Sequence, residues 1–310
     1  MQSRASRTST RRASASRGVL AAATIAAALA FEPAAARVVK PEFTTGLLWR
    51  VSKPAVKDSF VFGTIHLADP RVNGIPKPVE AALAQSRTLA LELVPGAVVD
   101  GRVFDLELLE DGRTLESLIG REAFARVREQ LGAQAIPERV IAQLKPWAVF
   151  VKLGRTPAPD AGDSLDQRLL AAARARRMQV APLELPDEQI ASFDAVPLDS
   201  QVALLRHALD HGDALDAAIE PTVDAWLRRD LAGLARVGDR MGKQFPGMGR
   251  HYREFTKHII HNRTILMHHR LTLPLRGGRV FVAVGAMHLY GSKGLLAMLR
   301  RDGYAVTRIW

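Results

Sequence analysis

The sequence predicts an α/β fold: a central mixed sheet built from two repeated β-turn-α-β units, with a large helical insertion between them. Three observations lead there. Phe60–Leu67 (FVFGTIHL) and Val282–Leu289 (VAVGAMHL) share Gly-x-x-His-Leu after an apolar run. Each is followed by a loop, a helical pattern and a further strand pattern, so the likeness extends beyond the motif. Between them, from about 105 to 271, apolar residues recur mainly at helical spacing.

Residues 1–36 precede the fold. Arg4, Arg7, Arg11, Arg12 and Arg17 make a basic start without acids; the thirteen-residue apolar run Gly18–Ala30 follows, then Ala34–Ala36. This is the order of a secretory signal peptide. The run is shorter than the ~20 apolar residues of a membrane-spanning helix. The mature chain, 37–310, is therefore expected without a membrane span, in the periplasm or secreted. A disordered arginine-rich tail or an uncleaved anchor is the alternative.

After Pro41, Gly46–Val51 (GLLWRV) and Ser59–His66 (SFVFGTIH) read as two strands of a hairpin, turning through Lys53–Asp58. Val79, Ala82, Leu83 and Ser86 fall at helical spacing. Thr88–Val94 (TLALELV) is a strand, stopped by Pro95-Gly96. Thr114–Leu131 and Pro137–Leu153 are helical, the second bent or broken at Pro146. Pro157–Asp163 is a loop, Ser164 caps a helix to about Arg177, and Gln179–Leu185 is a short strand. Two or three helices occupy Ser200–Met241, and a long one covers about Gly249–Leu271. Arg279–His288 (RVFVAVGAMH) is apolar on both faces, as a central strand is. A helix at Gly294–Arg301 and a strand at Tyr304–Trp310 close the chain.

Composition narrows the chemistry. Apolar residues make up 47 % of the chain, enough for a sizeable core in one large domain or two small ones, and there is no cysteine. Disulfides, thiolate metal sites and a cysteine nucleophile are excluded. A metal would need His, Asp, Glu or backbone oxygen. The net charge of +11 falls to +7 without residues 1–36. The basic residues are scattered without interleaved aromatics, so no nucleic-acid partner is expected.

His66 and His288 stand three residues after Gly63 and Gly285, which let the chain turn or pack closely where each strand ends. If the repeats adjoin in one sheet, both imidazoles meet at the carboxyl ends of strands, where α/β proteins gather ligands. Glu92 shares a strand face with Ala90 and Val94; covered on both sides, it is a buried carboxylate needing a partner or a metal. Two histidines and a carboxylate with open positions make a hydrolytic metal site. Asp166 and Glu184 flank a helix-strand unit, and Asn262 and Arg263 lie on the long helix, where an arginine binds a carboxylate or a developing oxyanion. His207 and His211 share a helix face that reads as solvated. Most of His251, His258, His261, His268 and His269 read as surface residues. No Gly-x-Ser-x-Gly, Walker or dinucleotide motif occurs.

LLWRVSK, FVFGTIHLADP, the glutamate of LALELV and VFVAVGAMHLYGSKGLLAMLRRDGYAV resemble the TraB/GumN family over nearly all of residues 45–310. That family is related to the Tiki proteases and, more distantly, to erythromycin-esterase and ChaN-like folds. The resemblance implies metal-dependent peptide hydrolysis with manganese or cobalt-like divalent ions. His66 and His288 would be metal ligands, and Glu92 a ligand or general base. Gly63, Gly285, Asp166 and Glu184 would contact substrate or support the ligands. Asn262 and Arg263 would orient substrate or stabilise the oxyanion, although family members usually carry Arg-Asn where this chain has His261-Asn262-Arg263. The implied partner is a peptide or envelope-associated substrate. The alternatives are a non-catalytic envelope protein supporting polysaccharide production and a binder of small peptides.

Overall fold

The computed structural model describes residues 42–67, 69–94, 104–133, 135–153 and 163–310. The segment read as a signal peptide lies outside them, as do Pro95-Gly96 and most of the 157–163 loop. The expected hairpin forms from β1 (Leu48–Lys53) and β2 (Val56–Thr64), antiparallel from Leu48↔Phe62 to Lys53↔Val56. Its turn is tighter than the sequence predicts. Pro54-Ala55 suffice because Ala55 takes a left-handed φ of 63°.

From β2 the chain enters α1 (Lys77–Ala84), begun by prolines that need no N–H there, and buries Val79, Ala82 and Leu83. It returns as β3 (Thr88–Leu91). The middle of the chain begins with α2 (Leu115–Ile119), α3 (Arg121–Gly132), α4 (Glu138–Ile141) and α5 (Pro146–Leu153). Here the two expected helices are four: Gly120, at φ 81°, breaks the first, and the second is broken ahead of Pro146, as expected, with Pro146 starting the later piece. Next come α6 (Leu165–Ala175), capped by Ser164 with Gln167, and β4 (Gln179–Pro182). Five helices follow: α7 (Pro186–Asp194), α8 (Leu198–Asp210), α9 (Gly212–Asp216), α10 (Ile219–Leu227) and α11 (Leu231–Gln244).

The long helix is interrupted. It runs as α12 (Gly249–Thr256), a π-helical turn at Lys257–Asn262, and α13 (Arg263–Gly277). β5 (Val280–Gly285), a 3-10 turn at Ala286–His288, α14 (Leu295–Arg301) and β6 (Ala305–Arg308) complete the chain.

The six strands form one mixed sheet in the order β4-β3-β5-β2-β1-β6. β4, β3, β5 and β2 run parallel, while β1 is antiparallel to β2 and β6. The repeated strands β2 and β5 are neighbours, with Gly63 opposite Val284 and Thr64 opposite Gly285. The two units interleave: β3 lies beyond β5, and β6 lies beyond β1, because β1 already occupies the outer edge of β2. Residues 280–284 are all buried, as two covered faces require. A second apolar cluster, including Leu115, Val127, Ile141, Trp147 and Leu205, lies within the helical part.

Two expectations about histidines are corrected. His207 is buried, its ring 4.3 Å from that of Phe245, because α11 ends in a residue that covers this face of α8. His251 is also buried, 2.9 Å from the Ser200 hydroxyl. Among the described residues, no helix is long and apolar enough to cross a membrane.

Gly278 joins α13 to β5 at φ 67°, and a Cβ there would collide with the Lys57 backbone. Gly247 shares a positive φ, 83°, but faces open space. Gly278→Ala should therefore cost about 3 kcal/mol or more, and Gly247→Ala about 1 kcal/mol. Urea denaturation of the two variants checks this; equal losses would refute the role of the close contact.

Candidate functional site

Three neighbouring strands bring the sequence candidates to one edge of the sheet. β2 ends at Thr64, two residues before His66; Glu92 follows the last residue of β3; and His288 ends the 3-10 turn after β5. Glu92 thus sits just past the strand, not inside it, yet it is 8 % exposed as the alternation requires. Trp226 on α10 donates its indole N–H to the Gly63 carbonyl at 3.1 Å, fixing the end of β2.

Glu92 is held from two sides. Its Oε1 accepts the Gly285 N–H at 2.5 Å, and its Oε2 accepts from Nη2 of Arg263 at 2.8 Å. Arg263 also donates Nε to Oε1 of Glu184 at 2.9 Å and Nη2 to Oε2 of Glu184 at 2.6 Å. All three side chains are buried. Glu184, two residues after β4, is therefore the second carboxylate on Arg263. A further guanidinium hydrogen goes to the Ile259 carbonyl, within the π turn.

The π turn also sets His288. Thr264 donates its hydroxyl to the Ile260 carbonyl at 2.6 Å, so its oxygen is left to accept from Nδ1–H of His288, at 2.8 Å. That assigns the tautomer: Nε2 carries a lone pair, and it lies 3.6 Å from Oε1 of Glu92. Nε2 of His66 approaches the same oxygen at 3.9 Å, and its Nδ1 is 3.0 Å from Oδ2 of Asp166, in the first turn of α6. Two imidazole nitrogens and one carboxylate oxygen converge. Oγ1 of Thr64 is buried nearby without a hydrogen-bond partner, whereas Oδ2 of Asp166 is engaged by the His66 imidazole. Thr64 is in register with Gly285, so its side chain leaves the sheet on the face towards which a Cβ at Gly285 would point.

The glycines serve close packing. A Cβ at Gly285 would lie 3.2 Å from Oε1 of Glu92 and 3.4 Å from Nε2 of His66; at Gly63 it would meet Ala286 at 3.0 Å. Asn262 does not join the group: its side chain is exposed, its amide 3.4 Å from Nδ1 of His258. Sequence reasoning missed Thr264 and Thr64. Thr64 at least stands inside the Gly-x-x-His motif, while a threonine on a helix carries no comparable signal.

Charge is distributed unevenly. Burial pushes the His288 imidazole down to about 4, against the attraction of Glu92. Burial also opposes charge on Glu92, but the histidines and Arg263 outweigh it and hold the carboxyl well below its ordinary range. Glu184 is shifted upward by burial, partly offset by Arg263. His66 is shifted upward: Asp166 and Glu92 overcome the burial that opposes its charge. Its side chain remains 57 % exposed, so solvent moderates that shift. As placed, no group of three or more His, Asp or Glu among the described residues is close enough to hold a metal ion.

The sequence profile of the TraB/PrgY/gumN family matches residues 47–308. A curated relative described as uncharacterized protein YbaP, from Shigella flexneri, is 24 % identical over 254 residues, covering 81 % of this chain and 90 % of the relative. YbaP of Escherichia coli (strain K12) matches with the same identity and coverage.

Arg263→Met should leave Glu184 buried without a counter-charge, strip Glu92 of its arginine partner, and cost about 3–5 kcal/mol, read as a lowered urea midpoint. An unchanged midpoint would show that the pair is dispensable. His288 generates a pH effect. Its pKa falls from 6.5 unfolded to about 4 folded. Its contribution is thus complete above pH 6.5 and is lost as pH falls towards 4, by up to about 1.4 kcal/mol per pH unit. In chelator-treated protein, His288→Gln should flatten that part of the stability profile, and a parallel profile would count against it.

Proposed function

Because this chain belongs to the TraB/PrgY/gumN family, we propose that it is a metal-dependent hydrolase acting on a peptide bond in the periplasm or outside the cell. The observation that carries the reading is the convergence of the His66 and His288 Nε2 atoms on one oxygen of Glu92. Their donor chemistry, two nitrogens and a carboxylate, suits manganese or a cobalt-like divalent ion. The unpartnered, buried hydroxyl oxygen of Thr64 near these groups supports a further polar occupant at this place. Closing the group requires the exposed His66 to swing inward. When bound, such an ion polarises a carbonyl and activates water.

The chain's own residues do the rest. Thr264 presents the His288 lone pair, Arg263 and the Gly285 N–H hold Glu92 ionised, and Asp166 orients His66. Arg263 supports the carboxylates from behind, so its part is to position Glu92. Export rests on the signal-like order of residues 1–36. A second reading, an envelope protein that binds a peptide or supports polysaccharide production without cleavage, is favoured by the spread of the His and Glu side chains as placed.

Metal analysis of the purified chain tests the first step: manganese should be retained or taken up, and lost in His288→Ala and His66→Ala. Glu92→Gln should weaken binding about tenfold or more. A peptide-library digest with and without chelator then separates the readings. Metal-dependent cleavage supports the hydrolase; metal uptake without cleavage favours the binder, and no uptake removes the metal site.

A further inference from the structure

At the opposite edge of the sheet, the strands enter through arginines. Arg87 immediately precedes β3; its backbone N–H donates to the Arg279 carbonyl at 2.7 Å, and its carbonyl accepts from Gln179 at 2.9 Å. These bonds tie together the starts of β3, β5 and β4. Arg87, Arg176 and Arg177 line a cleft of about 720 Å³ with Gln179, Leu273 and Gly277. Glu92 is five residues further along the same chain direction, about 16 Å away at ~3.3 Å per residue, so the cleft is separate from the histidine site.

Two features bear on what it can bind. No carboxylate lines the cleft, and among the described residues neither Arg87 nor Arg177 pairs with an acid. Several arginines elsewhere are so paired, among them Arg71 with Asp69 and Glu220, Arg126 with Asp210 and Arg270 with Glu188. Arg177, like Arg229 and Arg279, sits at a left-handed φ, 56°, just after α6, where glycine is the residue that fits without strain. An arginine kept there costs about 1 kcal/mol of backbone strain relative to glycine.

We propose that this cleft binds a phosphate-bearing ligand. Guanidinium forks match phosphate oxygens two at a time, and forks unpaired with acid on one cleft leave that capacity open. The cleft is the size of a small-molecule site rather than an extended polymer track. Leu273, 76 % exposed on its rim, suits a phosphate that carries an apolar chain. The shared chemistry is the phosphate ester or diphosphate, and it has two sources, a soluble compound and a lipid headgroup.

The full chain is titrated with pyrophosphate by calorimetry, beside Arg87→Gln and Arg177→Gly. Glycine relieves the left-handed backbone at 177, so the second variant should melt no lower than wild type while binding about tenfold more weakly. Arg87→Gln should weaken binding similarly. Co-sedimentation with phosphatidylglycerol vesicles, against phosphatidylcholine vesicles, is read as the difference between wild type and the double variant, since the arginine-rich start is common to both. A difference on phosphatidylglycerol assigns a headgroup; a difference with pyrophosphate alone assigns a soluble ligand. Absence of both differences overturns the proposal, as does a hexaglutamate peptide binding as tightly as pyrophosphate.

Discussion

The buried arrangement of Glu92, Arg263 and Glu184 is the constraint around which the molecule is organised. Glu92 follows β3, Glu184 follows β4, and Arg263 opens α13, so one guanidinium ties two strand ends to the helix across them. Removing such charges from water is costly, and the geometry repays it only when each oxygen and hydrogen finds a partner. Most do: Gly285 takes the remaining side of Glu92, and Ile259 takes a remaining guanidinium hydrogen. The positions of β5 and the π turn are thereby linked to the same charge.

The π turn makes this linkage possible. A π turn widens the hydrogen-bond spacing of a helix by one residue and turns the following residues to a new face. Here the residues after it are Arg263 and Thr264, both buried, and both bond back to carbonyls of the turn itself. The carboxylate and the imidazole of the site are consequently set by two adjacent residues on one helix. Neither side chain has freedom to drift independently of the other.

Much of this was legible in the residues. Apolar runs marked β2, β3 and β5, Ser164 marked its helix, and the repeated Gly-x-x-His placed His66 and His288 at strand ends that prove to be neighbours. Glu92 was readable as buried because Leu89, Ala90 and Leu91 offer apolar side chains to both faces of β3. The break at Pro146 was readable from the proline, while that at Gly120 reflects a backbone turn that short apolar periodicity does not resolve. The pairing of Glu184 with Arg263 was hidden for another reason: it spans 79 residues and depends on strand order, which no local pattern encodes. The burial of His207 likewise depends on Phe245, far along the chain.

The position of β5 between β2 and β3 has a consequence for how the chain matures. Phe60 pairs with Phe281, and Leu89 with that same residue, so the early strands meet only through one made long after them. Until then β2 and β3 each present an open edge, and direct pairing between them would close the slot that β5 must fill. Pairings of such long sequence separation form slowly because the loop must close before contacts reward it. The nascent chain therefore carries an unfinished sheet throughout the making of the helical middle. Its candidate site comes into existence only with β5 and the turn after it, and a product truncated before them would hold His66 and Glu92 with nothing to bring them together.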